Sequence, residues 1–251
     1  MTSSFAQSCL MSRTDKFDPH GYYRFYSRYV QQYIPIVSKR DTFSLLEIGI
    51  QGGHSVNMWL DFFPKNVFLY GLDIQNGFVG DKYLVFKADQ SSYDNMTYIQ
   101  QHILQSSHND VFLIIDDGSH MPEHQIRSFD FFFSELLLLG GTYIIEDVET
   151  SYWRSNHTTI GAFQYGYQHP NSAIELFKHL ADEVNFEFLM EDARRRQDEI
   201  FQGHFSEKTR RLVSTVTFGQ NCIIISKKSP EDILLYNDRP YRFKEWVEAP
   251  V

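Results

Sequence analysis

The sequence predicts an α/β protein with a doubly wound, mostly parallel sheet of seven strands. Two observations support this fold class. Five short apolar runs alternate with segments of helical periodicity. Two further apolar runs near the C-terminus are separated only by Gly219-Gln220, which is typical of a hairpin. Alternating strands and helices form a parallel sheet, whereas a hairpin adds an antiparallel pair. We therefore expect the sheet to end in an antiparallel C-terminal hairpin.

Each element has its own signal, in chain order. Strands are expected where short apolar runs end in glycine or acidic residues, and helices where apolar residues recur three or four positions apart. The predicted strands are residues 44–50, 67–74, 83–88, 111–116, 142–145, 212–218 and 221–227. The predicted helices are residues 22–37, 54–63, 93–105, 123–139 and 172–183.

The remaining segments are expected to be irregular. Residues 1–16 show no periodicity and are expected to be mobile, and residues 149–171 are aromatic and polar, as in an active-site loop. The triple arginine at 194–196 is expected on a solvated surface. The expected organisation is an N-terminal extension with a lead-in helix (1–40), one ligand-binding domain (41–230) and a C-terminal tail (231–251).

Composition excludes several classes of protein. The chain has 251 residues, 42% hydrophobic and 22% charged, which excludes a disordered polar chain. Its net charge of -9 argues against a nucleic-acid partner bound through phosphates. It has no membrane-length apolar run and no secretory-signal pattern, and it has only two cysteines, Cys9 and Cys222. We expect a cytoplasmic enzyme with no membrane partner.

The ends of the first three strands predict an adenosine ligand. The glycines of Gly49-Ile50-Gln51-Gly52-Gly53 allow a tight turn against a ligand, and Asp73 is placed to accept ribose hydroxyls. Asp89-Gln90 would lie beside the adenine ring, although Asp89 could equally cap a helix. Nicotinamide and sulfonium cofactors share this arrangement, but Glu47 would sit badly beside a pyrophosphate. The terminal hairpin is common in S-adenosylmethionine methyltransferases, so we expect that cofactor.

The ends of the fourth and fifth strands predict a metal site. Adjacent parallel strands have tips about 5 Å apart, so Asp117, Glu146 and Asp147 would face one volume. Carboxylate oxygens favour Mg²⁺ or Mn²⁺. His120 would then lie beside the metal as a base. The alternatives are that single acids cap helices or pair with Lys or Arg, and that His120 and His124 form a two-histidine Zn²⁺ or Fe²⁺ site.

These segments resemble a known family. LLEIGIQGGHSVNMWLDFFPKNVFLYGLDI, IIDDGSH and LGGTYIIEDVETSYW are similar to the Mg²⁺-dependent sugar O-methyltransferases of the macrocin and mycinamicin type, and to cephalosporin-hydroxylase-like proteins. The resemblance covers about residues 14–153 and implies a Rossmann-like class I methyltransferase fold. Its N-terminal Thr-Asp-Lys signature, here Thr14-Asp15-Lys16 with His20 and Tyr22, lies near the cofactor or acceptor in relatives. His54 departs from the family, which usually has Ser there.

The resemblance also implies roles for individual residues. It implies metal ligation by Asp117, Glu146 and Asp147, with His120 as general base and catalysis shared by His120 and Asp117. The full set expected to contact the cofactor is Glu47, Gly49, Gly52, Gly53, Asp73, Asp89, Gln90 and Asp116. Tyr152 and Trp153 are expected either to contact a sugar ring or to pack internally.

The predicted function is a metal-dependent O-methyltransferase that uses S-adenosylmethionine to methylate a hydroxyl of a sugar, a glycan or another vicinal diol. Two alternatives stay open: a metal-dependent hydroxylase or oxidoreductase, and a non-catalytic nucleotide-binding module. The expected partner is a small-molecule or glycan acceptor, and assembly as a homo-oligomer is a further expectation drawn from relatives.

Overall fold

The computed structural model describes residues 4–37, 39, 42–63, 66–158 and 161–233. The helices are α1 (Phe5–Ser12), α2 (Tyr23–Gln31), α3 (Ile34–Val37), α4 (His54–Phe62), α5 (Tyr93–Gln105), α6 (Pro122–Glu135), α7 (Ala173–Val184), α8 (Glu191–Phe201) and α9 (Glu207–Arg211). The strands are β1 (Phe43–Ile48), β2 (Val67–Asp73), β3 (Phe78–Gly80), β4 (Tyr83–Lys87), β5 (Val111–Asp116), β6 (Thr142–Glu146), β7 (Arg154–Thr158), β8 (Gly161–Gln164), β9 (Val213–Gly219) and β10 (Cys222–Lys227). Two short 3₁₀ helices cover Val148–Tyr152 and Phe186–Phe188.

The main sheet confirms the predicted fold class. Its strand order is β3-β4-β2-β1-β5-β6-β10-β9, in which β4, β2, β1, β5 and β6 run parallel. Strand β10 pairs antiparallel with both β6 and β9, as the hairpin signal predicted. The sheet has eight strands instead of seven because β3, three residues long and largely exposed, adds an antiparallel edge. So short and exposed a strand has too little apolar pattern to be visible in the sequence.

The central strands are buried on both faces. Every residue of β1, β5 and β6 is buried, which explains their continuous apolar runs. One core, on the side of α5, α6 and α7, includes Phe129, Phe132 and Phe133, the aromatic cluster of α6. The other core packs α1, α2 and α4 against the opposite face. The carboxyl ends of these rigid strands therefore form a fixed platform for a site.

The expectation of a mobile segment over residues 1–16 is wrong for the described residues 4–16. Ser4 caps α1 by accepting a hydrogen bond from the Gln7 backbone N–H, and Phe5 and Cys9 are fully buried. The ring of Phe5 stacks 5.3 Å from that of Trp59 on α4. Eight residues give only two helical turns, so the three buried positions, Phe5, Ser8 and Cys9, are too few to form a recognisable period in the sequence.

Two further expectations need correction. The lead-in helix is split into α2 and α3, because Pro35 cannot continue an α-helix from the preceding turn. The expected loop at 149–171 contains a 3₁₀ helix and the β7–β8 hairpin. The triple arginine lies on the helix α8, where Arg195 and Arg196 are exposed as expected while Gln197 and Phe201 are buried. Most residues of α8 are charged, so the sequence shows no apolar helical pattern there.

Among the described residues, no helix combines the length and the apolar character that crossing a membrane requires. Of the predicted C-terminal tail, only residues 231–233 fall within the described part of the chain.

Candidate active site

The site lies at the carboxyl ends of β1, β5 and β6. These strands are neighbours, with Ile48 opposite Asp116 and Asp116 opposite Ile145, so the residues that follow each strand emerge at one edge. Gly49 makes the close approach possible: it has φ +86°, and a Cβ there would lie 1.9 Å from the carbonyl oxygen of Asp117. The predicted convergence of the strand ends is therefore present.

Three of the predicted residues form a cluster with metal-binding geometry. One ligand atom each from Asp117, His120 and Asp147 lies within 4.8 Å of the other two. The His120 Nε2 atom is 3.4 Å from Asp117 Oδ1 and 3.4 Å from Asp147 Oδ2. The residue predicted as a base thus sits between the two acids that were predicted as ligands.

Glu146, the third predicted ligand, faces Lys16. The Lys16 ammonium is fully buried and lies 2.7 Å from Glu146 Oε1, 2.9 Å from Asp117 Oδ2 and 3.4 Å from Glu47 Oε1. Burial opposes the charge on Lys16, but the carboxylates of Asp117 and Glu146 outweigh it and raise the pKa of Lys16 well above its usual value. Within the described structure, a protein cation therefore already neutralises part of the acidic cluster.

The cluster still contains more carboxyl groups than positive charges, because Lys16 provides only one. Burial raises the pKa of Glu146 well above its usual value, and the charge of Asp117 adds to this effect against the influence of Lys16. Burial likewise raises the pKa of Glu47. Carboxylates that are held this close together favour additional positive charge.

The electrostatics of His120 follow from the same acids. Burial opposes protonation, but the hydrogen bond to Asp117 and the charges of Asp147 and Asp117 raise the pKa of His120 to about 9. The imidazole therefore carries a proton near neutral pH when only the protein groups surround it. A base role for His120 requires that this charge environment change.

The residues 14–22 lie over the site, in agreement with the expected position of the Thr-Asp-Lys signature. Thr14 and Asp15 line a cavity of about 260 Å³ together with Asp117, His120 and Asp147. Tyr22 places its hydroxyl 2.5 Å from Asp147 Oδ1, and His20 Nδ1 is 3.5 Å from the same oxygen.

A larger cavity of about 550 Å³ adjoins the cluster. Of the residues expected to contact the cofactor, Gly49, Asp73, Asp89 and Gln90 line it. Its other polar lining residues are Asp117 and His124, which the sequence analysis considered for a metal site, and Gln51, Gln75, Asn76 and Ser119, which it missed. Their only sequence signal was their position just after a strand end. The volume is ordinary for a small-molecule site.

The Asp73 carboxylate organises two loops around this cavity. One oxygen accepts hydrogen bonds from the backbone N–H groups of Ile50 and Gln51, and the other accepts hydrogen bonds from those of Gln75 and Asn76. Burial opposes its ionisation, but these four donors outweigh burial and lower the pKa of Asp73. Asp73 is therefore an ionised anchor at the cavity wall.

Four of the residues expected to contact the cofactor lie elsewhere. Gly52 lines the smaller cavity, whereas Glu47 and Gly53 line neither. Asp116 is fully buried and accepts a hydrogen bond from Gln90 Nε2 at 3.1 Å, while Gln90 Oε1 accepts the Ser119 N–H at 2.7 Å. Burial raises the pKa of Asp116 to about 6, against its hydrogen bonds from Ser128 and Gln90. Asp116 thus supports the cavity from behind.

Two open alternatives are clarified by the geometry. His124 Nδ1 lies 2.8 Å from Ser119 Oγ, and in the described part of the chain the cluster able to hold a metal includes His120 without His124. The side chain of Tyr152 is 44% exposed and lines neither cavity.

No family model matches the chain. Among curated proteins, it is 30% identical over 188 residues to the demethylmacrocin O-methyltransferase of Streptomyces fradiae, covering 71% of this chain and 42% of that protein. It is 33% identical over 150 residues to the L-olivosyl-oleandolide 3-O-methyltransferase of Streptomyces antibioticus, covering 57% of this chain and 37% of that protein. The chain thus spans about two fifths of the length of these relatives.

A solved structure agrees with the sequence matches. The MycE methyltransferase of the mycinamycin biosynthetic pathway, in complex with Mg and SAH, has a TM-score of 0.73 at 23% identity, over 91% of this chain and 54% of that one. This likeness establishes a methyltransferase fold. The chain resembles the macrocin- and mycinamicin-type O-methyltransferases. The resemblance drawn from the sequence motifs is confirmed.

Proposed function

We propose that this chain carries the catalytic site of an S-adenosylmethionine- and divalent-metal-dependent O-methyltransferase that acts on a hydroxyl of a sugar, a glycan or another vicinal diol. The observation that carries the proposal is a shared wall: Gly49, Gln51 and Asp117 line both the larger cavity and the cavity that contains the acidic cluster. A donor bound in the first cavity and an acceptor bound in the second would therefore be neighbours. Direct methyl transfer requires that proximity.

The larger cavity fits the adenosyl end of the cofactor. Its wall combines the glycine turn at Gly49 with Asp73, Asp89 and Gln90, and these are the residues we expect to hold the cofactor. S-adenosylmethionine supplies the methyl group as a sulfonium. The glycine turn at Gly49 and the loops anchored by Asp73 form part of its wall.

The smaller cavity fits a divalent cation. Asp117 and Asp147 supply carboxylate oxygens, which suit Mg²⁺ or Mn²⁺, and the His120 imidazole lies beside them. Ligation by Glu146 stays a prediction, and it requires Glu146 to exchange its contact with Lys16. A divalent cation bound here would lower the pKa of an acceptor hydroxyl. His120 is placed to receive the proton of that hydroxyl, since it borders the same cavity.

The acceptor class is supported by the relatives. Their names specify O-methylation of macrolide and tetracenomycin sugars, for example an L-olivosyl group or an L-rhamnosyl group. Neighbouring hydroxyls on a sugar ring can engage one cation together, which suits a site built from two carboxylates and an imidazole.

Calorimetry and a transfer assay test this function. We expect S-adenosylhomocysteine to bind more tightly than NAD, and methyl transfer to a panel of deoxysugars and glycans, read by mass spectrometry, to stop when EDTA removes the metal. NAD binding with no S-adenosylhomocysteine binding would favour an oxidoreductase, and binding with no transfer to any acceptor would favour a non-catalytic module.

A substitution separates the roles of the two cavities. Asp117→Ala should abolish transfer, because it removes a carboxylate from the cation cluster, while binding of S-adenosylhomocysteine changes little. Glu199→Ala, on the exposed face of α8, is the matched surface control and should retain activity. Full, chelator-resistant activity in Asp117→Ala would refute the metal role.

A further inference from the structure

We propose that Tyr22 and Asn221 are positioning residues that hold Asp147 in the orientation needed for cation binding. This inference rests on the proposed metal-dependent function. It concerns two residues from distant parts of the chain, 125 and 74 positions from Asp147 in sequence. Among the described residues, neither forms a hydrogen bond or ion pair with His120 or Asp117, so any effect on the site would act through Asp147.

The two oxygens of Asp147 have different surroundings. Oδ1 accepts hydrogen bonds from the Tyr22 hydroxyl at 2.5 Å and from Asn221 Nδ2 at 2.9 Å, and His20 Nδ1 approaches it at 3.5 Å. Oδ2 lies 3.4 Å from His120 Nε2, on the side of the acidic cluster. One oxygen is thus fixed by the protein, and the other is directed at the candidate cation site.

The Tyr22 hydroxyl uses all of its hydrogen-bonding capacity on this task. It donates to Asp147 Oδ1 and accepts from the Asp147 backbone N–H at 3.2 Å and from Asn221 Nδ2 at 2.9 Å. A hydroxyl has one donor hydrogen and two acceptor lone pairs, so no capacity is left for a ligand. Tyr22 therefore suits a supporting role better than direct contact with substrate.

The Asn221 side chain hydrogen-bonds both to Asp147 and to the backbone just after it, at Glu149. Its Oδ1 accepts the Glu149 N–H at 2.9 Å, while its Nδ2 reaches Asp147 Oδ1. Asn221 lies in the β9–β10 turn with φ +60°, a left-handed conformation that Asn tolerates. The C-terminal hairpin thus delivers this side chain to the site.

Asp147 needs such support because regular structure does not hold it. Strand β6 ends at Glu146, the 3₁₀ helix begins at Val148, and Asp147 between them has φ +50°. A carboxylate at this kind of junction can rotate unless hydrogen bonds fix it. Partners that orient a metal ligand typically change metal affinity about 10- to 100-fold when they are removed.

Two substitutions test the inference by calorimetry with Mg²⁺, and with Mn²⁺, in the absence of cofactor. Tyr22→Phe removes the hydroxyl and keeps a ring that can stack on His20, whose centroid is 5.2 Å away. Asn221→Gly removes the amide and keeps a residue that adopts positive φ without strain. We expect each variant to bind the ion about 10- to 100-fold more weakly than the natural chain.

Tyr29→Phe is the matched control. Tyr29 lies on the same helix, α2, and its hydroxyl donates to Thr217 Oγ1 at 2.8 Å, away from the acidic cluster. We expect its ion affinity to be unchanged. In a transfer assay, excess Mg²⁺ should restore the kcat of Tyr22→Phe, which a loss through unfolding would not allow; circular dichroism checks the fold of each variant.

The outcomes separate the two proposals. If the natural chain binds neither ion, the metal-dependent function fails and this inference fails with it. If the natural chain binds the ion and all three variants bind it with the same affinity, only the positioning role is refuted. Should Tyr22→Phe not fold, the Asn221→Gly measurement decides alone.

Discussion

At the scale of single residues, Gly49 decides whether the ends of β1 and β5 can meet. A Cβ at this position would lie 1.9 Å from the Asp117 carbonyl oxygen, so Gly49→Ala must displace one of the two strand ends. We expect this variant to lose about 10-fold or more in affinity for S-adenosylhomocysteine, because both cavities share this wall.

Gly203→Ala separates the steric clash from backbone strain. Gly203 has a similar positive φ, +79°, and a Cβ there would meet no atom within 4 Å. It should cost about 1–2 kcal/mol of stability through strain alone and leave ligand affinity unchanged. Equal affinity in the two variants would show that the strand ends tolerate separation. Urea unfolding and calorimetry make the comparison.

The residues of the site were predictable where they follow a strand. Asp117, His120 and Asp147 were found because parallel strands bring their carboxyl ends to one edge, so local pattern and topology together fixed their position. Lys16 and Asn221 could not be found in this way. Their contacts to the site span 101 and 74 residues, and no local periodicity records a pairing of that kind.

At the scale of elements, Lys227 on β10 caps the end of α6. Its buried ammonium donates to the carbonyl oxygens of Phe133 and Leu137, each at 2.6 Å. Lys227→Met should cost about 1–3 kcal/mol, because it leaves buried helix-end carbonyls without donors. Lys208→Met, which removes an exposed ion pair with Glu135, is the control and should cost no more than about 1 kcal/mol.

The same lysine predicts a pH dependence with a definite sign. Burial, followed by the charge of Lys208, lowers the pKa of Lys227 from 10.5 to about 8 in the folded chain. Between these values the unfolded chain binds more protons, so stability due to Lys227 rises with pH. Urea unfolding should therefore show the difference between the natural chain and Lys227→Met increasing from pH 8 to pH 10. A constant or shrinking difference would contradict the assignment.

Elements were predicted well where the sequence pattern was long or wholly apolar. The predicted bounds of α5 and β5 agree with the structure, since thirteen residues in one case and six continuous buried residues in the other leave little ambiguity. By contrast, α1 and β3 were missed. Eight residues and three residues are too few for a period, and tertiary contacts such as the packing of Phe5 on α4 stabilise the former helix.

At the scale of the whole molecule, the N-terminal segment completes the platform that the sheet provides. Helix α1 packs on α4. In the segment that follows α1, Lys16 places its ammonium against acids at the ends of β1, β5 and β6. The fold class predicted the sheet but not this covering, because a doubly wound sheet does not dictate where an extension lies. The covering ties residues 4–22 to the cavity walls.

Lys16→Met tests how strongly that segment is held. The substitution leaves Glu47, Asp117 and Glu146 without their shared cation, and removing one partner of a buried ion pair typically costs about 3–5 kcal/mol. Lys178→Met, which breaks an exposed pair with Glu175, should cost about 1 kcal/mol or less. Burial opposes the ionisation of Asp117, but Lys16 outweighs it and lowers the pKa of Asp117, so adding Asp117→Asn to Lys16→Met should recover part of the loss. Urea unfolding measures these differences in stability. Limited proteolysis should cut Lys16→Met within residues 5–22 sooner than it cuts Lys178→Met. Equal stability and equal cleavage of these two variants would show that Lys16 does not hold the segment in place.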